Sequence, residues 1–521
     1  MSNDATALFA RLERLNEVGA ALSKERNIDR LLENILLAAK SITNADGGTL
    51  YRLVEDEKAG RQLKFEILRN DTLGIALGGT TGKPITFFPI HLVDEHGADN
   101  RSMVAAYSAL TGTTVNIADA YTAEGFDFSG TRNFDKKTGY RSTSFLTIPM
   151  RDHENDIIGV LQLLNCKAAD GSVIAFTDAD QRLAESLASQ AAIALTNRNL
   201  ITQLEELFES FITMINTAID EKSPYTGGHC QRVPTLTMML AEAVNATTEG
   251  PLAGFTMTDK DRYELKIAGL LHDCGKVTTP VHVVDKATKL ETIYDRIHLV
   301  DQRFEILKRD AEIAQLKGEM SEEAYQARLL SLDDDRDFIR KTNIGGEFMA
   351  DAAVARVATI AAYKWRDLTG TEANFFSDDE LKNLSIRAGT LTGDERQIIN
   401  HHIVATIKML ESLPWPKHLK NVPEYAGGHH ERMDGKGYPK GLKRDDMSIQ
   451  ARVMGIADIF EALTAADRPY KKGKTLSESL SIMQKFKENG HIDPDLYEVF
   501  LAQGVHKSYA QQYMHAGQID L

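Results

Sequence analysis

The chain has 521 residues, 42% of them hydrophobic and 26% charged, with a formal net charge of -15. A chain of that length exceeds what one hydrophobic core organises, and the composition is that of folded polypeptide. The acidic balance argues against a nucleic-acid or anionic-membrane surface, and no apolar run approaches the roughly 18 residues of a bilayer span.

The first segment, residues 1–198, opens with an amphipathic helix in which Leu8, Leu12, Leu15 and Leu22 recur at helical spacing. The N-terminal sequence alternates charge with leucine and has no signal-peptide pattern, which predicts a cytoplasmic protein. A second apolar-periodic stretch runs from Ile28 to Ile42. Strand-like runs follow at 49–54, 63–69, 145–150 and 157–165, the last two joined by the polar turn Glu154-Asn155-Asp156. Helices flanking an antiparallel sheet, an α+β domain, is the expected architecture. The stretch from Asn116 through IIGVLQLLN resembles a GAF domain, a sensor module for small ligands. The resemblance implies a small-molecule ligand or a purely structural dimerisation role. The cyclic-nucleotide-binding subset carries Asn-Lys, Phe and Asp-Glu, whereas this chain reads Asn165-Cys166, Phe176 and Asp180-Gln181.

From residue 179 to 222 the pattern is one long helix without Gly or Pro. Leu183, Leu187, Ala194, Ile201, Leu204, Phe208, Phe211 and Ile215 follow an alternating three-four spacing, interrupted by Gln190 and Asn197. That pattern predicts a parallel coiled coil and hence a homodimer. An ordinary helix packed on its own domain is the alternative. Residues 205–521 read as mostly helical, an all-α domain, and the charge-rich segment 291–388 reads as a solvent-facing helical insertion. Its acidic run Asp333-Asp334-Asp335 is expected on a solvated face.

Four histidine-bearing segments are spread along this helical region: TGGHCQRV, LLHDCGK, NHHIVATIKML and GGHHERMDGKGYP. A fifth, MGIADIFEALTAADRPYKKGK, supplies Asp458. A His-Asp pair beside the apolar Ile267, Leu270 and Leu271 needs something to offset its desolvation, and a divalent cation does so. The three cysteines, Cys166, Cys230 and Cys274, make no complete disulfide framework and are expected as packed free thiols.

His272-Asp273 followed by Gly-Lys, together with His-His-Glu and Asp-Gly-x-Gly-Tyr-Pro, resembles the HD-GYP family of metal-dependent phosphodiesterases. The resemblance implies His229, His272, Asp273, His402, His429, His430 and Asp458 as metal ligands, with His401 and His298 as rivals of His402. It implies two divalent cations, iron or manganese before zinc. Where three-metal members place a glutamate this chain has Tyr225, and their Arg-Asp pair is Lys222-Ser223 here. Asp273 has two oxygens with which to bridge two cations, with His229, His272 and Asp458 on one and His402, His429 and His430 on the other. Lys276 is expected to hold a phosphate oxygen beside Asp273, and Arg468 and Lys471 to bind the substrate. In the loop Gly437-Tyr438-Pro439, Tyr438 is expected to pack beneath the metals, with Glu431 and Asp434 stabilising the loop. The implied reaction is hydrolysis of 3',5'-cyclic di-GMP to pGpG or GMP under control of the GAF domain. Rival readings are a catalytically weak adaptor that binds a nucleotide or a protein through the GYP loop or the insertion, an HD hydrolase of another cyclic dinucleotide, and a hydrolase of (p)ppGpp or nucleoside triphosphates.

Overall fold

The computed structural model describes residues 3–521 except 23, 26, 57–59, 95–96, 224–227, 347, 368 and 467–472, and except the side chains of residues 3–10. Two compact units emerge, Met1–Phe208 and Glu209–Leu521. Tyr225, Arg468 and Lys471 lie outside the described residues.

The first unit begins with α1 (Asn3–Leu22) and α2 (Ile28–Thr43). Asn27 starts α2 by accepting the Arg30 N–H at 2.9 Å, and Asn44 ends it with φ 52°. Four strands follow, β1 (Ala45–Asp56), β2 (Gly60–Asn70), β3 (Ile75–Gly78) and β4 (Ile90–His91), then α3 (Val104–Thr111), β5 (Val115–Ile117) and α4 (Ser129–Thr138). The unit continues through β6 (Phe145–Arg151), β7 (Ile157–Lys167) and β8 (Val173–Ile174). The sheet is antiparallel in the order β3-β2-β1-β7-β6-β5, with β4 on β2 and β8 on β7. Asn155 takes φ 71° in the β6–β7 turn, a conformation asparagine tolerates.

Period-two alternation sends Leu50 and Leu161 to one face of the sheet and Tyr51 and Val160 to the other. The first face is covered by Leu32, Ile35, Leu36 and Ala39 of α2 and by α5 (Asp178–Lys222), through Leu183, Leu187, Ala191 and Leu195. Leu183 and Leu187, read in the sequence as part of a dimer seam, therefore pack into their own domain. In the second unit α5 buries Ile212, Asn216 and Ile219.

The second unit is built around α6 (His229–Asn245), which packs on α7 (Asp259–Leu271) and on α15 (Ile449–Thr464). A capping box starts α7, with Asp261 accepting the Thr258 N–H at 2.7 Å. After α7 comes a single 3-10 segment, Cys274–Thr278, and the short α8 (Val281–Val284).

Segment 291–388 folds as α9 (Ile297–Leu316), α10 (Glu322–Asn343), α11 (Asp351–Ala361), the hairpin β9 (Lys364–Arg366) with β10 (Glu372–Asn374), and α12 (Asp378–Leu384). It is not merely a solvent-facing arm. Leu290, Val300, Phe304, Leu332, Ile339 and Phe375 form a hydrophobic core of its own. Its acidic run is ion-paired: Asp333 with Lys308 and Arg336, Asp335 with Arg356 at 2.9 Å and with the Tyr363 hydroxyl at 2.6 Å. The segment leaves and returns through one neck. Lys286 donates to Asn383 at 2.7 Å and Glu395 at 2.8 Å, while Lys289 donates to the Ile386 carbonyl at 2.7 Å. Burial lowers the Lys289 ammonium to about 8.

The chain then continues with α13 (Gly393–Glu411) and α14 (Val422–Gly427) before α15, and ends with α16 (Leu476–Glu488), α17 (Pro494–Ala502) and α18 (Val505–Tyr513). Among the described residues, no helix is long and apolar enough to cross a membrane.

Candidate metal centre

Helices carry or border most of these histidines, and backbone carbonyls fix three of the rings. His229 is the first residue of α6, His272 follows the last residue of α7, and His402 lies within α13. His272, His402 and His429 place Nδ1 at 2.7, 2.6 and 2.6 Å from the carbonyls of Gly269, Ile399 and Ala426, each three residues earlier. A carbonyl only accepts, so Nδ1 carries the proton and Nε2 turns its lone pair inward.

These inward nitrogens converge. His272 Nε2 is 3.3 Å from His229 Nε2, and His430 Nε2 is 3.1 Å from His402 Nε2. Asp273 lies between the two groups: Oδ2 is 2.9 Å from His229 and 3.2 Å from His272, and Oδ1 is 3.3 Å from His402. Asp458 Oδ1 approaches His229 at 3.3 Å and His272 at 3.9 Å. All seven sequence-predicted ligands thus come together in the fold. His401 is exposed and so is His298 on α9, so the inward-turned residue of the three is His402.

The donors fit divalent cations. Within each of the two groups, His229-His272-Asp273 and His402-His429-His430, the donor atoms lie within 4.8 Å of one another. Two buried acceptors, His429 Nε2 and Asp273 Oδ1, have no hydrogen-bond partner. His402 and His430 bring their Nε2 atoms within 3.1 Å of each other, near enough to share one cation, and imidazole with carboxylate suits zinc, iron or manganese.

Electrostatics agree with that reading. Burial, with His272 as a neighbour, lowers His429 to about 4, and burial among the neighbouring imidazoles holds His430 well below the usual range. Burial opposes the charge on Asp273, but Lys276 and His272 outweigh it and keep the carboxyl ionised. Lys276 donates to Asp273 Oδ2 at 2.5 Å. The thiols of Cys230 and Cys274 are buried, which raises them to about 12 and about 11 and leaves them protonated packing groups.

The side chains behind the candidate ligands are not among the residues implied by the sequence motifs. Glu461, fully buried, accepts from His229 Nδ1 at 2.6 Å and from Arg232 at 2.7 Å. Burial would raise Glu461, yet His229 and Arg232 bring it to about 2. The signal was present: Glu461 follows Asp458 by three residues on α15, and Arg232 follows His229 by three on α6, so each pair shares a helix face.

Close approach positions the HD segment. A Cβ on Gly275 would fall inside the His402 carbonyl oxygen and 2.5 Å from the Thr406 nitrogen, so glycine lets this segment lie directly on α13. Gly275 N–H also donates to Thr406 Oγ1 at 2.9 Å. In the GYP loop, Gly435 takes φ 77° and a Cβ on Gly437 would strike the Arg432 nitrogen. Glu431 accepts the N–H groups of Lys440 and Leu442 at 2.7 and 2.9 Å, and Asp434 accepts from Arg432 and the Lys436 N–H. Both acids therefore hold the loop. Tyr438 stacks on His430, with ring centroids 4.8 Å apart. Beside the centre opens a cavity of about 430 Å³ lined by His429, His430, Asp458, Arg432, Lys436 and His491 among others.

Comparison with known proteins agrees with this architecture. Residues 27–195 match the GAF domain family, and residues 226–339 and 376–496 match HD domain families. The chain thus joins a GAF domain to an HD domain. The first HD match contains the His272-Asp273 pair and the second the Gly437-Tyr438-Pro439 segment. A 3'3'-cGAMP-specific phosphodiesterase of Vibrio cholerae is 24% identical over 323 residues, 62% of this chain and 43% of the relative. A cyclic di-GMP phosphodiesterase of Pseudomonas aeruginosa is 34% identical over 134 residues, 26% of this chain and 31% of the relative. One from Thermotoga maritima is 34% identical over 116 residues, 22% of this chain and 31% of the relative. The chain spans less than half the length of these relatives.

Proposed function

We propose that this protein is a metal-dependent phosphodiesterase that hydrolyses 3',5'-cyclic di-GMP to pGpG or GMP. The observation that carries this is Asp273, whose two oxygens face two separate histidine groups. His229, His272 and Asp458 would hold one cation and His402, His429 and His430 the other, with Asp273 shared and manganese or iron the expected metals. Such a pair supplies Lewis acidity to the phosphate and lowers the pKa of water toward neutrality. The chain's own residues do the rest. Glu461 and the three carbonyls fix the imidazole tautomers, Tyr438 holds His430 by stacking, and Lys276 stands at Asp273 where a nonbridging phosphate oxygen is to be neutralised. Arg432 and Lys436 line the adjoining cavity, both beside Asp434, and would offer N–H donors to an anionic ligand. Arg468 and Lys471 remain the proposed phosphate- and guanine-binding residues.

Cyclic di-GMP and 3'3'-cGAMP both find support among the relatives. Incubating metal-loaded protein with each dinucleotide and resolving the products by chromatography decides between them. Hydrolysis of cyclic di-GMP supports the proposal, hydrolysis of 3'3'-cGAMP alone reassigns the substrate, and inertness toward both favours an adaptor.

Two copies are proposed to associate in the cytoplasm through α5. Ile193, Leu200, Leu204, Leu207, Phe211 and Met214 are exposed at steps of seven, four, three, four and three residues, the a/d rhythm of a coiled coil. The polar Asn197 completes that rhythm and would fix its register.

A further inference from the structure

The first unit contains a second cavity, of about 470 Å³, on the sheet face that carries Tyr51 and Val160, walled by α3 and α4. Its volume is that of a small-ligand site. Six phenylalanines dominate the lining: Phe65, Phe87, Phe88, Phe128, Phe134 and Phe145. Three aromatic rings form a row, with Tyr51 to Phe65 at 4.7 Å and Phe65 to Phe87 at 5.5 Å between centroids. At the mouth, Phe88 is 90% exposed, Phe87 46% and Met103 40%. Three large apolar side chains held in water around an apolar cavity gain free energy when an apolar molecule covers them.

Gln162, Ser142 and Asp127 of the lining are already engaged. Gln162 accepts from the Tyr51 hydroxyl at 3.2 Å and donates to Thr147 at 3.0 Å. Ser142 bonds Asp135 through both its N–H and its hydroxyl at 2.8 Å. The charged group present, Asp127, is an anion, stabilised by the Ser129 N–H at 2.8 Å. No lysine, arginine or histidine is found among the described residues that line the cavity. Arg132 and Arg141, close to it in sequence, sit over the Tyr121 ring instead. A phosphate would therefore meet one carboxylate and no cation, and a base edge would find Gln162 and Ser142 already bonded.

We propose that this cavity binds an uncharged, largely apolar molecule of one or two aromatic rings, and not a nucleotide. The ring row receives it face or edge on, and Phe87 and Phe88 close over its outer side. The chemistry sensed by the first unit is thus unlike the anionic substrate proposed for the second.

The test titrates the full-length protein with the uncharged fluorophore N-phenyl-1-naphthylamine and then adds cyclic GMP, cyclic AMP or cyclic di-GMP in large excess. Saturable binding that none of the nucleotides displaces is expected. The double substitution Phe87→Ala, Phe88→Ala at the exposed mouth weakens binding about tenfold or more without changing the melting temperature. Leu68→Trp, which fills the cavity from β2, abolishes it, and the mouth variant keeps the test decisive should this one misfold. Displacement by a cyclic nucleotide, absence of saturable binding, or binding unaltered in the variants overturns the proposal. Hydrolysis plays no part in the readout, so failure here is distinct from failure of the proposed reaction.

Discussion

Replacing Glu461 by glutamine changes one charge and almost no volume behind the proposed metal centre. The carboxylate is completely buried, 2.6 Å from His229 Nδ1 and 2.6 Å from Arg232. A hydrogen bond to a charged acceptor contributes about 1.5–3 kcal/mol and a neutral one about 0.5–1.5, so the exchange removes about 1–2 kcal/mol from what makes His229 a strong donor. That corresponds to roughly 5- to 30-fold in cation affinity, overlapping the lower part of the roughly 10- to 100-fold typical of partners behind a ligand. Competition between the protein and a chromophoric chelator for manganese measures the dissociation constant directly. Thermal unfolding of metal-free protein serves as the control, because Arg232 loses its counter-charge and some stability goes with it. Glu461→Gln should remain folded, bind manganese more weakly and, at saturating metal, recover most of its turnover. An unchanged dissociation constant in a folded variant would show that His229 is not a ligand or that Glu461 does not act through it.

Asp273→Asn weakens the carboxylate shared by the two groups, and elemental analysis should show metal loss with hydrolysis down at least about a thousandfold. A variant that keeps its metals and its rate refutes the bridging role. Gly275→Ala places a methyl group against the His402 carbonyl and the Thr406 nitrogen, neither of which can swing away, and urea denaturation should register a loss of about 2–4 kcal/mol. Burial and Lys276 oppose protonation of His229, but hydrogen bonds to Asp273 and Glu461 raise it to about 9, above the unfolded value near 6.5. The resulting stabilisation of metal-free protein is complete below about pH 6.5 and lost as pH rises through about 9. Cation binding between those limits must expel that proton, so calorimetry at pH 8 in buffers of different ionisation heat should give buffer-dependent enthalpies; identical heats would contradict it. Leu204→Glu with Leu207→Glu should convert a dimer to a monomer in light scattering, and a wild-type monomer would dispose of the seam.

Much of the fold was legible because local pattern and packing agree. The runs at 49–54, 63–69, 145–150 and 157–165 all lie in strands, and their alternation is what separates the two faces of the sheet. The candidate ligands were readable because motif spacing survives the intervening hundred residues that separate Lys289 from Leu391. Other features depend on tertiary packing. Leu183 and Leu187 have the spacing of a seam, but only the sheet shows that they face inward, leaving the outward row one position away at Leu200 and Leu207. The core of the insertion escaped notice because Val300, Phe304, Leu332 and Phe375 are set among charged neighbours and meet only in three dimensions. Glu461 was passed over as one more acid on a helix, since its partners come from α6.

The neck of segment 291–388 brings its two ends together: the Thr390 hydroxyl donates to the Lys286 carbonyl at 2.9 Å, and Lys289 reaches Ile386 at 2.7 Å. A module whose entry and exit are neighbours can be excised, exchanged or fused to a reporter without pulling apart the helices that flank it. Nearly a hundred residues lie between those two points, and their removal or exchange is expected to leave α8 and α13 in place.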